Sequence, residues 1–74
     1  MVTFVDYLQK KYKDVDVLTL YELHEKAKKL KYSKNFGEQR LGSYYFDAID
    51  LILQLKDCNF IHKFKVLIRL VHRG

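Results

Sequence analysis

No proline interrupts this chain of 74 residues, and glycine occurs only at Gly37, Gly42 and Gly74. Sheets joined by tight turns draw heavily on both residues, because turns need a fixed or a positive φ. Helices need neither in their interiors. The chain therefore reads as all-α, a compact bundle of three to four short helices in one domain spanning 1–74.

Hydrophobic spacing divides it. Thr3-Phe4-Val5-Asp6 has the form of an N-terminal capping box, and Phe4, Val5, Leu8 and Tyr12 then recur at helical intervals. This predicts a first helix over 4–12. Residues 13–18 alternate polar with apolar and read as a short extended connector. Thr19-Leu20-Tyr21-Glu22 forms a second capping box, with Leu20, Leu23, Ala27 and Leu30 along one face, so the second helix is expected over 20–31. Residues 32–37 read as a loop with Asn35 and Gly37 as its turn formers. The third helix is expected over 38–56. It is apolar nearly all round, which marks it as the central one on which the others pack. Gly42 inside it costs about 1 kcal/mol relative to alanine, and close approach of a second helix would explain it. Asp57 or Asn59 can cap a fourth helix over 60–72, in which Phe60, Ile61, Phe64, Leu67, Ile68 and Val71 share a face. The β-branched content of 64–71 leaves a strand there as the alternative.

A chain this short buries only about 60% of the surface it exposes when unfolded. Domains of this size are commonly reinforced by a disulfide, a metal or a partner. The lone Cys58 excludes an internal disulfide framework and a cysteine-rich zinc site, and fits a reducing, cytoplasmic setting. Self-association, or very good helix packing, is the remaining expectation. No apolar run approaches the length of a membrane span, and the N-terminus lacks the basic lead and apolar block of a secretory signal.

Catalytic signatures are missing. Cys58 is flanked by Asp57 and Asn59, which do not favour a thiolate. His24, His62 and His72 lack the paired spacing of helical metal sites. Asp47 with Asp50, and Glu22 with Glu25, read as solvated or salt-bridged acids. No glycine-rich phosphate loop occurs. The chain is thus expected to bind rather than catalyse, with no cofactor and no metal.

The formal charge of +5 is uneven. Residues 19–40 hold six bases against three acids, and residues 57–74 four bases against one acid. Lys28, Lys29, Lys31, Lys34, Lys63, Lys65, Arg69 and Arg73 would be the phosphate-facing groups of a nucleic-acid-binding regulator. A base-reading helix-turn-helix fits less well, since the third helix lacks a polar reading face.

Six tyrosines and five phenylalanines suit a protein-binding surface as well as a core. The segment Arg40-Leu41-Gly42-Ser43-Tyr44-Tyr45-Phe46-Asp47-Ala48 looks like a helix with the pattern Arg-Leu-Gly, two variable residues, two apolar residues, a variable residue and Ala, found in short phage-encoded proteins. The whole chain, rich in Lys and Tyr and free of Pro and Trp, resembles small host-takeover proteins of Gram-positive bacteriophages. Its length is similar to that of members which inhibit the sliding clamp of the host DNA polymerase. That resemblance implies a dimeric inhibitor of a host replication protein, acting in the bacterial cytoplasm by blocking the clamp's DNA channel. The channel is basic, so an occupant should present acids; this chain departs from that in being basic overall, and only Asp6, Asp14, Asp16, Asp47 and Asp50 could form a local acidic patch. The partner-binding residues expected on this reading are Tyr21, Tyr44, Arg40, Asp47 and Asp50. A structural or packaging accessory of a virion is a third reading.

Overall fold

The structure is a computed structural model that describes residues 3–71. Four helices account for nearly all of them: α1 (Phe4–Tyr12), α2 (Val17–Lys31), α3 (Phe36–Gln54) and α4 (Cys58–Val71), with no strand among the described residues. The all-α expectation holds, and the strand alternative for 64–71 is replaced by helix.

Each helix starts where a short polar side chain can accept an unsatisfied backbone N–H. For α1 this is the anticipated box: Asp6 N donates to Thr3 Oγ1 at 3.1 Å, and Thr3 N to Asp6 Oδ2 at 3.4 Å. In α2 the cap is Asp16 rather than Thr19, with Thr19 N donating to Asp16 Oδ1 at 2.8 Å. Starting one turn earlier lets Val17 pack against the core and completes the first turn beneath Leu20, which is fully buried. Bonding to Thr19 holds the Asp16 carboxyl below its ordinary pKa. The connector is accordingly only residues 13–16, and it is not the expected extended segment: Lys13 is still αR, residues 13 and 14 form a turn, and Val15 N donates to Tyr12 O at 3.3 Å.

α3 starts two residues before the expected point because Asn35 is its cap, accepting from Glu38 N at 3.2 Å. The turn ahead of it is stitched to the helix. Gln39 Nε2 donates to Ser33 O at 2.7 Å, Asn35 N donates to Ser33 Oγ at 3.1 Å, and Ser33 Oγ donates to Glu38 Oε2. α4 starts at Cys58, with Phe60 N donating to Asp57 Oδ1 at 2.8 Å. Val71 is the last described residue, so the expected end at His72 lies outside the described residues.

The helices pack in the spatial order α1, α3, α2, α4. The expectation that α4 packs chiefly on α3 is corrected: α1 and α2 occupy the flanks of α3, and α4 settles on α2. The molecule is a slab of 35 × 33 × 14 Å with a radius of gyration of 12.6 Å. A compact chain of this length would have about 11 Å, so the excess reflects flattening. Flattening limits the core, among the described residues, to nine buried apolar side chains: Leu8, Leu20, Leu23, Ala27, Tyr45, Ala48, Ile49, Ile52 and Phe64. α3 supplies four of them yet is not enclosed, because a thin slab leaves its outer face in solvent.

Gly42 sits where α2 and α3 come closest. A Cβ there would lie 2.6 Å from Lys31 N and 2.8 Å from Ala27 O. No described glycine has a positive φ, so Gly42 answers a need for room and not for backbone freedom. At the opposite end, Lys56 Nζ donates to Lys13 O and lies 5.0 Å from the Phe60 ring centroid, joining the ends of α1 and α3 to the start of α4.

Candidate functional site

The outer face of α3 carries most of the expected binding residues. Arg40, Tyr44 and Asp47 stand at i, i+4 and i+7, so one helical face presents all three. Two depressions adjoin along it. Phe36, Gln39, Arg40 and Ser43 line one. Tyr44 and Asp47 line the other with Thr3, Phe4 and Val5 from the start of α1.

Aromatic rings join the two helices. Phe4 lies edge-on to Tyr44 at 6.0 Å and to the buried Tyr45 at 6.0 Å, and stacks on Tyr7 at 6.3 Å. Tyr45 forms the floor, with Lys26 Nζ 5.2 Å from its ring centroid. Phe4, Tyr7 and Tyr44 stay open to solvent, Tyr7 by 52%. Such rings bring large apolar area with few torsions to freeze, as an interface anchor requires. Phe36, 77% exposed, extends the strip past Arg40.

Two expected partner residues lie elsewhere. Tyr21 is half-buried on α2 and packs against the core, in a separate depression with Glu22, Glu25, Lys26, Lys29 and Leu30. Burial, then the Glu25 carboxylate, push its hydroxyl above the ordinary pKa. It is therefore not a second anchor beside Tyr44. Asp50 is exposed one turn beyond Asp47, on the flank whose charge reaches His24. Phe4, Tyr7 and Phe36 were missed as surface groups. Phe4 belongs to the helical stripe that reads as core, Tyr7 lies outside that stripe and carries no signal of its own, and Phe36 sits in a segment that reads as loop.

The basic residues do not share a single element. Lys28 is half-buried near the end of α2 and Lys29 exposed beside it. Lys31 Nζ lies 5.2 Å from the Phe46 ring centroid. Lys34 is exposed in the turn before α3, and Lys63, Lys65 and Arg69 are exposed on α4. Arg73 lies outside the described residues.

His24 sits at the junction of α2, α3 and α4, edge-on to Phe46 at 5.2 Å and to Phe64 at 5.8 Å. Its Nδ1 is buried and has no hydrogen-bond partner among the described residues. Burial lowers its pKa; Lys28 adds to the lowering, while Glu25 and Asp50 oppose it. Cys58 is an exposed free thiol at the start of α4. Among the described residues no group of three or more His, Cys, Asp or Glu is placed to hold a metal ion, and no helix is long and apolar enough to cross a membrane. No family model, curated protein or solved structure matches this chain.

Proposed function

We propose that this chain is a non-catalytic protein-binding module whose contact surface is the outer face of α3 together with the start of α1. The observation that carries the reading is the exposed group Phe4, Tyr7 and Tyr44, joined through Phe4, whose ring also meets the buried Tyr45. Arg40 and Asp47 flank it and would set orientation through charges of opposite sign. The resemblance to phage host-takeover proteins directs the choice of partner to a host replication protein, the sliding clamp first. Asp47, with Asp50 beyond it, is then the acidic element facing a basic channel. Homodimer formation belongs to the same reading, because nine buried side chains are a small core for a free-standing domain.

The test is direct binding to a purified Gram-positive sliding clamp, beside capture from a Gram-positive lysate with and without nuclease. Retention of one stoichiometric protein after nuclease treatment, weakened at least tenfold by Tyr44→Ala or Phe36→Ala, supports the reading. A tenfold loss corresponds to about 1.4 kcal/mol, within the range of an interface anchor. Capture that vanishes with nuclease, and falls steeply with salt, replaces it with nucleic-acid binding through the lysines of α2 and α4.

A further inference from the structure

α4 has two apolar borders, and α2 covers only one. Phe60, Phe64 and Ile68 pack toward the core. Val66 and Leu70, one turn apart on another side, remain 36% and 61% exposed. With Leu67, and with Val17 from the first turn of α2, they line an open groove completed by His62 and Lys63. The groove holds no acid. α4 itself carries His62, Lys63, Lys65 and Arg69 and no Asp or Glu between Cys58 and Val71. Asp16, the acid next to Val17, is not among the lining residues; its carboxylate caps α2 through Thr19 N.

We propose that this groove is a docking site for an acidic amphipathic helix of another protein. A groove between two helices accepts the ridge of a third, and apolar side chains at i and i+4 of an incoming helix match the spacing of Val66 and Leu70. Acids flanking that stripe meet the Lys63 ammonium, and charges act over ~8 Å at physiological salt. A second copy is disfavoured as occupant, because a two-fold contact would bring the basic rim of α4 against itself. A lipid surface is disfavoured because the strongest apolar side of α4 is already spent on the core.

The experiment selects helix-length random peptides, displayed on yeast, against the intact protein, with Leu70→Glu protein as counter-target. Leu70 is exposed, so the variant is expected to keep the wild-type circular dichroism spectrum. Enriched peptides should pair an i, i+4 apolar stripe with net negative charge. They should bind Leu70→Glu and Lys63→Glu at least tenfold more weakly, and Phe36→Ala as well as wild type, which separates this groove from the α3 surface. Lys63→Glu leaves the apolar lining whole and decides the charge argument even if Leu70→Glu disturbs the fold. Enrichment of neutral or basic peptides, or no enrichment over the counter-target, overturns the proposal. So does a wild-type dimer that Leu70→Glu splits in sedimentation, or binding to phosphatidylglycerol vesicles that Leu70→Glu abolishes.

Discussion

Replacing Gly42 with alanine sets a methyl carbon 2.6 Å from Lys31 N, 2.8 Å from Ala27 O and 3.0 Å from Lys31 Cα. All three atoms belong to the α2 backbone, so no side chain can swing aside. The nearest is 0.8 Å inside the 3.4 Å at which ordinary contact begins, and α2 and α3 must part by a comparable amount. A gap of 0.5–1 Å forfeits roughly a quarter to a half of each dispersion contact across the seam. Ala27, Ala48 and Ile49 belong to the core that this seam helps to close. Overpacking of this kind costs about 1–3 kcal/mol, while alanine's better helix propensity returns about 1 kcal/mol. Because the methyl meets only backbone atoms, the nearest two under 3.0 Å away, the cost lies in the upper part of that range, about 2–3 kcal/mol, and the expected net loss is about 1–2 kcal/mol. Urea unfolding followed by circular dichroism should show a lower midpoint at unchanged slope. Thermal unfolding should show a Tm lower by about 4–8 °C per kcal/mol. Gly37→Ala is the control. Its Cβ meets only Asn35 Oδ1, at 3.2 Å, so the propensity gain is set against part of one cap and the net change should be near zero. A Gly42→Ala protein as stable as wild type would refute the close approach of α2 and α3.

His24 titrates with a lowered pKa, so the neutral ring is the form that folding favours. Its contribution is present above about pH 6.5, the unfolded value, and is lost as pH falls through the lower folded value. Wild-type Tm should decline between pH 7.5 and 5, and His24→Phe, which also removes the partnerless Nδ1, should flatten that decline; an equal slope in both proteins would reject this. Asn35→Ala removes the α3 cap and should cost about 1 kcal/mol in urea unfolding; no loss would mean that the stitched turn holds the helix start alone. Sedimentation equilibrium should give a dimer, and a monomer at high micromolar concentration would remove self-association from the functional reading.

The number of helices and the reason for Gly42 were legible in the sequence because both rest on local chemistry. Missing prolines, capping residues and 3.6-residue spacing act within a few positions. The sequence offers two overlapping starts for α2: the box of Thr19 with Glu22, and Asp16 as a plain cap that accepts from Thr19 N. Only packing chooses between them, since the earlier start brings Val17 onto the core. The same limit applies to the binding surface. Arg40, Tyr44 and Asp47 share a face by spacing alone. That Phe4 reaches Tyr44 while Tyr21 turns inward depends on which flank of α3 each neighbour occupies. An all-round apolar α3 suggested enclosure; the slab leaves one side bare, and no periodicity encodes the thickness of the molecule.

The placement of α4 has a kinetic consequence. α2 and α3 are consecutive, joined by a short stitched turn and in close contact at Gly42, so they can form before anything distant in sequence is in place. α4 rests chiefly on α2 and contributes Phe64 alone to the buried set. It is the element that can detach while the rest stays folded. Native-state hydrogen exchange should therefore find amides of α4 opening well below the global unfolding free energy, and those of α2 and α3 opening only with it. A helix that peels away on its own also uncovers Phe64 and the His24 imidazole, so whatever clamps α4 down would be felt at the centre of the molecule.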